Sequence, residues 1–365
     1  MAISIGASLG MLILVYPQQA LVGSSEKIDS VEEPYEDVQA QIQKNYSGSL
    51  PEAGLRNISL MSPTTTILFV GDMMFDRTVA TRSKAGGGFD YPFRRIGNLK
   101  NGVMGEYDLV IGNLEGPVNK TKHASTKSIV FSFNPAVLPV LKDVGFDAVS
   151  QANNHTLDQG RDGAEESLQH LAKAGIGAFG DQTRQDATSS MGILESSGRK
   201  FAFIGFNDTD VRLNKKTAEG VLDKALRQAD FVIVCMHWGN EYKAKPTTSQ
   251  VSLAHWFIER GASAVIGGHP HWMESVEVYR GKPIVYSLGN FIFDQDWSKE
   301  TNYGLAVGLD VAENASELKL FPIKIEKSQP FLLTGTERQT RLDRLAEISD
   351  TKLADEIKRG TISSP

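Results

Sequence analysis

From Thr64 to about residue 330, short runs of β-branched and aromatic residues alternate with longer stretches of helical spacing. The runs Thr66-Ile-Leu-Phe-Val70, Leu109-Val-Ile111, Ala148-Val-Ser150, Phe201-Ala-Phe-Ile204, Phe231-Val-Ile-Val234 and Ala264-Val-Ile266 have the length and residue types of buried strands. Helical spacing is predicted at 136–144, 163–174, 217–228 and 249–260. This alternation predicts an α/β fold of mixed sheets covered by helices. After His271 the pattern becomes strand after strand, at 274–279, 283–287, 304–311 and 318–325, which predicts a second, largely antiparallel sheet region. Leu342, Leu345, Ile348 and Leu353 then recur among charges, as in a surface helix or pair of helices.

The flanks differ in character. Residues 2–16 are largely apolar, Pro17 breaks the run, and no Lys or Arg precedes Lys27. That run is long enough for a signal-peptide core and short for a membrane span of roughly 20 residues. The expected organisation is a signal peptide or membrane anchor (1–24), a polar linker (25–63), one large domain (64–330) and a C-terminal helical tail (331–365).

Composition narrows the chemistry. A formal charge of -6 over 365 residues offers no basic stripe, so a nucleic-acid partner is not expected. Cys235, the single cysteine, sits in an apolar run and reads as a small buried hydrophobe. With one cysteine there is neither an internal disulfide nor a thiolate zinc site, so any metal must be held by His, Asp, Glu and Asn.

Five polar clusters directly follow apolar strands: Gly71-Asp72, Gly112-Asn-Leu-Glu115, Asn153-Asn-His155, His237-Trp-Gly-Asn-Glu241 and Gly267-Gly-His-Pro-His271. Carboxyl ends of strands in an open α/β sheet share one edge, so residues distant in sequence can converge there. Asp72 and Glu115 supply anionic oxygen, while His237, His269 and His271 supply imidazole nitrogen. Such a set suits one or two Mn, Zn or Fe ions, and a carboxylate can bridge two ions roughly 3.5–4 Å apart. Asn154 can add a carbonyl oxygen, which leaves His155 for proton transfer. Asn290 also follows a strand and either reaches the site or caps a turn. His123, His170 and His255 lie outside the clusters and read as structural. Gly86-Gly-Gly88 lacks the Lys-Ser/Thr of a phosphate loop and reads as a flexible turn near the site mouth.

The segments Gly71-Asp-Met-Met-Phe-Asp-Arg77, Asn113-Leu-Glu-Gly-Pro117, Ala152-Asn-Asn-His155, His237-Trp-Gly-Asn-Glu-Tyr242, Gly268-His-Pro-His271 and Tyr286-Ser-Leu-Gly-Asn-Phe291 together resemble the CapA/PgsA family of poly-γ-glutamate capsule-synthesis proteins. That family is in turn similar to the calcineurin-like metallophosphoesterases. The resemblance covers roughly 66–296 and implies a sandwich of two mixed β-sheets flanked by α-helices, with the site at one edge. It implies Asp72 as the first metal ligand, Glu115 as the bridging carboxylate, Asn154 and His155 as the Asn-His pair, and His237, His269 and His271 as the later histidines. Arg77 and Glu241 belong to the same motifs, either touching substrate, holding ligands from behind, or forming a structural ion pair. One departure stands out: metallophosphoesterases usually read Asp-x-His at the first motif, whereas Asp72 is followed by Met73 and Met74, which thins the shell at one metal position.

Three functions follow as expectations. The first is a metal-dependent hydrolase of a phosphoester, or less readily an amide, in which His155 protonates the leaving group. The second is an accessory role in making, exporting or attaching an anionic surface polymer such as poly-γ-glutamate, beside membrane-bound synthase components, with carboxylates bound and not turned over. The third is a metal-stabilised structural domain. The apolar N-terminus, polar stalk and family resemblance together predict an anchored or secreted protein of the bacterial cell envelope.

Overall fold

The computed structural model describes residues 64–120, 122, 127–180, 190–312 and 316–364. The anchor and linker expected over 1–24 and 25–63, and His123, lie outside the described residues. Among the described residues no helix is long and apolar enough to cross a membrane.

The first half runs β1 (Thr65–Met73), α1 (Arg77–Ala85), a small hairpin of β2 (Asn101–Gly102) and β3 (Gly105–Glu106), β4 (Leu109–Leu114), α2 (Val137–Asp143), β5 (Ala148–Ser150), α3 (Gly160–Lys173) and β6 (Gly177–Phe179). It continues with β7 (Met191–Ser196), β8 (Arg199–Asp208), α4 (Lys215–Leu226), β9 (Phe231–Trp238), α5 (Thr248–Glu259) and β10 (Ala264–Gly268). The last part contains β11 (Val276–Tyr279), β12 (Lys282–Val285), β13 (Asn290–Ile292), β14 (Tyr303–Val311), β15 (Ser316–Glu326) and β16 (Gln329–Leu332). It closes with α6 (Gly335–Ile348), α7 (Ala354–Arg359) and β17 (Thr361–Ser364).

Two mixed sheets result. The nine-stranded sheet runs β16-β15-β14-β1-β4-β5-β6, with β13 also on β1 and β17 on β15, and the six-stranded sheet runs β11-β12-β10-β9-β8-β7. Their inner faces share one apolar layer, in which Phe69 and Ile111 of the first sheet meet Phe203, Ile233 and Ile266 of the second. The outer faces are covered by helices. Leu138, Leu141 and Leu171 pack on Leu68 and Val110, and Val221, Leu222 and Phe257 pack on Ile204 and Val234. Burial on both faces explains why the central strands read as continuous apolar runs.

Helix starts carry local signals as well. Thr247 and Gln250 form a capping box at α5, and the Asn214 side chain accepts the amides of Lys216 and Thr217 at α4. In contrast, α1 has no apolar stripe beyond Val79, so periodicity does not reveal it.

The strands after His271 pair largely antiparallel with one another, but they do not form the second sheet region expected of them. Strand β12 pairs parallel to β10, β13 pairs parallel to β1, and β14 pairs antiparallel to β1. The late strands therefore complete both sheets, because each sheet still has an unpaired edge when the chain reaches them. The segment beyond 330 is also more than a surface tail. Leu342, Leu345 and Ala346 of α6, Ile357 of α7 and Ile362 of β17 are buried in the layer between the sheets, at about 1.5–3 kcal/mol for each large side chain. Gly86-Gly-Gly88 follows the C-terminal end of α1, whereas the N-terminal end of that helix faces the site. A nine-residue helix, about 1.5 Å per residue, separates the turn from the site mouth expected for it.

Candidate metal centre

The parallel strands β1, β4 and β5 in one sheet, and β9 and β10 in the other, end at the same edge, where their polar clusters meet. Strand β1 is irregular at this point, since its register with β4 shifts between Val70 and Asp72. Close approach demands glycine on two sides. A Cβ on Gly71 would lie 2.0 Å from the carbonyl oxygen of Gly289, and one on Gly268 would lie 2.6 Å from Asp72 Oδ1.

Asp72, Glu115 and His271 are buried, and each offers a ligand atom within 4.8 Å of the others. Asp72 Oδ1 accepts from Asn113 Nδ2 at 2.8 Å, and Oδ2 accepts from the His269 amide at 3.1 Å. His271 places Nδ1 3.5 Å from Asp72 Oδ2 and Nε2 3.8 Å from Glu115 Oε1. Its Nδ1 also lies 2.9 Å from Asn290 Oδ1, whose amide nitrogen donates to Gln295 Oε1 and to the Thr301 carbonyl, each at 3.0 Å. Asn290 thus orients a candidate ligand from behind.

His237, Asn154 and His269 form an adjoining group. His237 Nε2 lies 2.9 Å from Asn154 Oδ1, its Nδ1 lies 3.3 Å from Asn113 Nδ2, and its ring centroid is 4.8 Å from that of His269. A neutral imidazole with its proton on Nε2 satisfies both contacts, donating to Asn154 and accepting from Asn113.

Electrostatics at this edge is governed by burial. Burial acts to raise the Asp72 carboxyl, but the hydrogen bond and charge of His271, with His237 and Asn113, outweigh it and bring the group down to about 2. Glu115 is pushed well above the usual carboxylate range by burial and by the negative charges of Asp72, Glu241 and Asp158, against the opposing pull of His271. Burial and neighbouring imidazoles push His237 well down and His269 to about 4. For His271, burial pulls down, but Glu115 and Asp72 prevail and lift it to about 9.

The donor set fits a divalent cation on one specific ground. Neither oxygen of Glu115 and not Nδ1 of His269 has a hydrogen-bond partner among the described residues, although all are buried. Buried acceptors without partners are costly, and here they point to charge that a cation would neutralise. The mixture of carboxylate oxygen, imidazole nitrogen and amide oxygen suits Mn, Zn or Fe.

His155 stands beside this group and not within it. Its Nδ1 lies 2.6 Å from Asp158 Oδ2, its Nε2 lies 4.0 Å from Glu115 Oε1, and its ring packs on Phe131 at 4.1 Å between centroids. Buried Asp158 also accepts from the Phe131 amide at 2.8 Å and from Lys127 Nζ at 2.9 Å. Arg77, the first residue of α1, is ion-paired with Asp294 and faces the Phe131 ring. Glu241 is exposed, and its charge acts on Glu115, His269 and His271. His170 pairs with Glu166 and His255 with Glu277, both away from the cluster.

Sequence reasoning assigned no role to Asn113, Asn153 or Asp158. Asn153 Nδ2 donates to Asn113 Oδ1 at 3.1 Å, so the two amides buttress Asp72 and His237 in series. The available signal was position: Asn113 is the penultimate residue of β4 and Asp158 follows His155 by three residues.

This architecture, two mixed sheets with Asp, Glu, Asn and His converging at their carboxyl edge, defines an α/β sandwich with a candidate metal site at one sheet edge. Residues 66–295 match the model of the bacterial capsule synthesis protein family PGA_cap. The chain is 33% identical over 280 residues to the PGA biosynthesis protein CapA of Bacillus subtilis (strain 168), covering 72% of each chain. It is 31% identical over 302 residues to the capsule biosynthesis protein CapA of Bacillus anthracis, covering 76% of this chain and 72% of that one. A probable polyglutamine synthesis accessory protein, Rv0574c of Mycobacterium tuberculosis (strain ATCC 25618 / H37Rv), is 29% identical, with 66% and 72% covered. The chain therefore belongs to the PGA_cap family of bacterial capsule synthesis proteins. A putative 5'-nucleotidase from Staphylococcus aureus has a TM-score of 0.39 at 12% identity, covering 78% of this chain and 58% of that one.

Proposed function

We propose that this protein serves the synthesis of a poly-γ-glutamate-type surface polymer as a metal-dependent hydrolase. Asp72, Glu115 and His271 would hold a divalent ion on one side, and Asn154, His237 and His269 would offer ligands on the other. The observation that carries this reading is the pair of buried oxygens on Glu115, unpartnered among the described residues, together with the buried and likewise unpartnered Nδ1 of His269. A divalent ion held there would supply a Lewis acid that polarises a phosphoryl or acyl oxygen.

The chain's own residues do the rest. Asp158 accepts from Nδ1 of His155 and fixes the ring, so that Nε2 faces the ligand group and carries the proton to the leaving oxygen. Phe131 packs on that imidazole, which limits water around it. Asn290 and Asn113 hold His271 and Asp72 in position. The substrate on this reading is a phosphoester or an amide-linked anionic polymer, and the partners are polymer-synthase components at the membrane. Residues 1–24 serve as signal or anchor and 25–63 as the stalk, which puts the domain of 64–330 and the segment of 331–365 outside the cytoplasm.

A second reading, metal-dependent binding of polymer carboxylates without turnover, is favoured by Met74. It occupies the place where the related phosphoesterases usually carry a histidine, and it is buried, with its Sδ accepting from the Asp76 amide at 3.0 Å. Elemental analysis of purified protein, with a screen of phosphoesters and γ-glutamyl polymers, separates the two. Bound metal with turnover supports the hydrolase, bound metal with polymer binding and no turnover supports the second reading, and metal-free protein after exposure to Mn, Zn and Fe refutes both.

A further inference from the structure

Eight described residues other than glycine have positive φ. Four of them, Ser197, Arg280, Lys327 and Ser328, lie in tight turns joining successive antiparallel strands, where left-handed backbone is the ordinary solution. The other four are His269 (φ 94), His271 (φ 57), Arg77 (φ 49) and Tyr242 (φ 60), all at the strand-end edge. Such conformations cost of order 1–3 kcal/mol each and persist where function holds them. The two histidines are accounted for as ligands. Arg77 and Tyr242 hold no position in that group, so their strain requires another explanation.

The guanidinium of Arg77 is fixed in three ways. It pairs with Asp294, whose second oxygen accepts from the Thr78 amide at 3.1 Å, and it lies 5.0 Å from the centroid of Phe131 and 5.9 Å from that of Phe293. These same rings pack on the site imidazoles, Phe131 on His155 at 4.1 Å and Phe293 on His271 at 4.8 Å. The Arg77 side chain nevertheless keeps 37% of its surface exposed, against 5% for Asp294. A planar fork with five donors, held by one carboxylate and two rings, keeps donors for a second oxyanion.

Tyr242 builds the facing lip. Its amide donates to the Pro270 carbonyl at 2.8 Å, its ring stacks on His271 at 6.0 Å, and its hydroxyl accepts from Gln295 Nε2 at 3.3 Å. Trp297 meets it edge to face at 4.8 Å between centroids and is 65% exposed, a large apolar surface open to solvent at the site mouth. Arg77 is near enough for its charge to act on the Tyr242 phenol. Glu241 places a negative charge on the same lip, so anions are not gathered by a broad cationic field. Selection falls to one positioned guanidinium.

We propose that Arg77 and the Tyr242–Trp297 lip form a recognition subsite for an oxyanion carried on a short aliphatic chain, lying beside the ligand group of Asp72, Glu115 and His271. The guanidinium takes the oxyanion and the indole covers the methylenes. This inference rests on the metal-centred reading above. It adds the feature of substrate that the metal ligands leave open, an anionic group set one short chain away from the reacting bond.

The test is isothermal titration calorimetry of the metal-loaded full chain with glutarate and, separately, with inorganic phosphate. Metal content and unfolding midpoint are measured on every sample. Arg77→Gln is expected to weaken glutarate binding by about tenfold or more, and Arg77→Lys to weaken it by less, since charge survives but the fork is lost. Trp297→Ala is expected to weaken glutarate and leave phosphate unchanged. A folded Arg77→Gln or Arg77→Lys protein with full metal and wild-type glutarate affinity overturns the subsite. So does Asp294→Asn matching Arg77→Gln in lost stability while both retain wild-type glutarate binding, which would make Arg77 only a fastener of α1. Metal-loaded wild type that binds neither probe overturns the subsite as well. Wild type that takes up no metal overturns the metal-centred reading itself, a failure told apart by elemental analysis.

Discussion

Replacing Glu115 by glutamine should invert the order of stability between wild type and variant when metal is added. In metal-free protein Glu115 is buried, its two oxygens have no hydrogen-bond partner among the described residues, and its carboxyl lies well above the usual range. Ionising it in the folded state is therefore unfavourable, even with His271 3.8 Å away. Glutamine keeps the volume and removes the charge, while Asp72, 3.5 Å from His271, still supports the imidazolium, so the remaining buried charges stay paired. Exchanging a buried, unpartnered carboxylate for a neutral amide removes the cost of ionising it, about 1–3 kcal/mol, or roughly 2–10 °C in unfolding midpoint at this size. The sign with pH follows from the raised carboxyl. The folded state holds that proton more tightly, so the cost is absent near the ordinary value of 4.5 and grows as pH rises toward the folded value. With a divalent ion at about 100 times its dissociation constant, wild type gains about 2.7 kcal/mol and a variant lacking this ligand gains little. Calorimetry at pH 8 should find Glu115→Gln above wild type in EDTA and below it in saturating Mn or Zn. The EDTA gap should close toward pH 4.5. A variant that is no more stable than wild type in EDTA, or that keeps the full metal shift, refutes the reasoning.

Other outcomes bear on the remaining residues. His155→Ala should lower turnover of an active substrate by about 10²–10⁴-fold with metal content unchanged, whereas Asn154→Ala should lose metal as well. Asp158→Asn should cost less, about 10- to 150-fold in turnover, because one charge-assisted hydrogen bond of about 1.5–3 kcal/mol is weakened while the acceptor for the Phe131 amide survives; wild-type turnover in that variant would remove Asp158 from the mechanism. Burial, opposed by Gln250, lifts the Glu274 carboxyl to about 7, so it favours the folded state below 4.5 and that contribution is lost as pH rises to 7. Glu274→Gln should flatten the stability profile in that window by a few kcal/mol at most, and an unchanged slope in chemical denaturation would disprove the assignment. The Cys235 thiol, pushed up to about 12 by burial, should resist iodoacetamide in folded protein at pH 8 and react on unfolding, as mass spectrometry would show.

The strand-end clusters were legible because chemistry and position coincide there. Each of Asp72, Glu115, Asn154, His237 and His269 follows or ends an apolar run, and burial on both faces makes those runs conspicuous. Partition of strands between the two sheets was not legible. Nothing local to Gly304–Val311 says that it pairs with β1 while Pro283–Val285 pairs with β10, since both segments are equally apolar and the choice is made by which edge remains open. Helix α1 stayed hidden for the opposite reason: its residues are polar on most faces, and an Asp76 cap with the Arg77–Asp294 pair holds it in place. Asn113 and Asp158 escaped assignment because neither is placed to bind metal. Their parts lie in the hydrogen bonds they make to Asp72, His237 and His155, which exist only after folding.

The departure at Met73 and Met74 gains a physical meaning from the same geometry. Both side chains are buried in the apolar cluster that includes Phe75, Val79, Phe131 and Phe133, and so belong to the packing beneath α1. A histidine in place of Met74 would have to desolvate an imidazole in that cluster, at about 1–3 kcal/mol without a partner. The first motif therefore contributes Asp72 alone to the proposed ligand group and gives its next residues to the core. The gap is offset from the far side of the site. Asn290, paired in register with Asp72 across β1 and β13, holds Nδ1 of His271 and leaves Nε2 facing Glu115. Strand β13 thus positions His271, and the absence of a side chain on Gly71 is what lets the chain at Gly289 and Asn290 come close enough to do so.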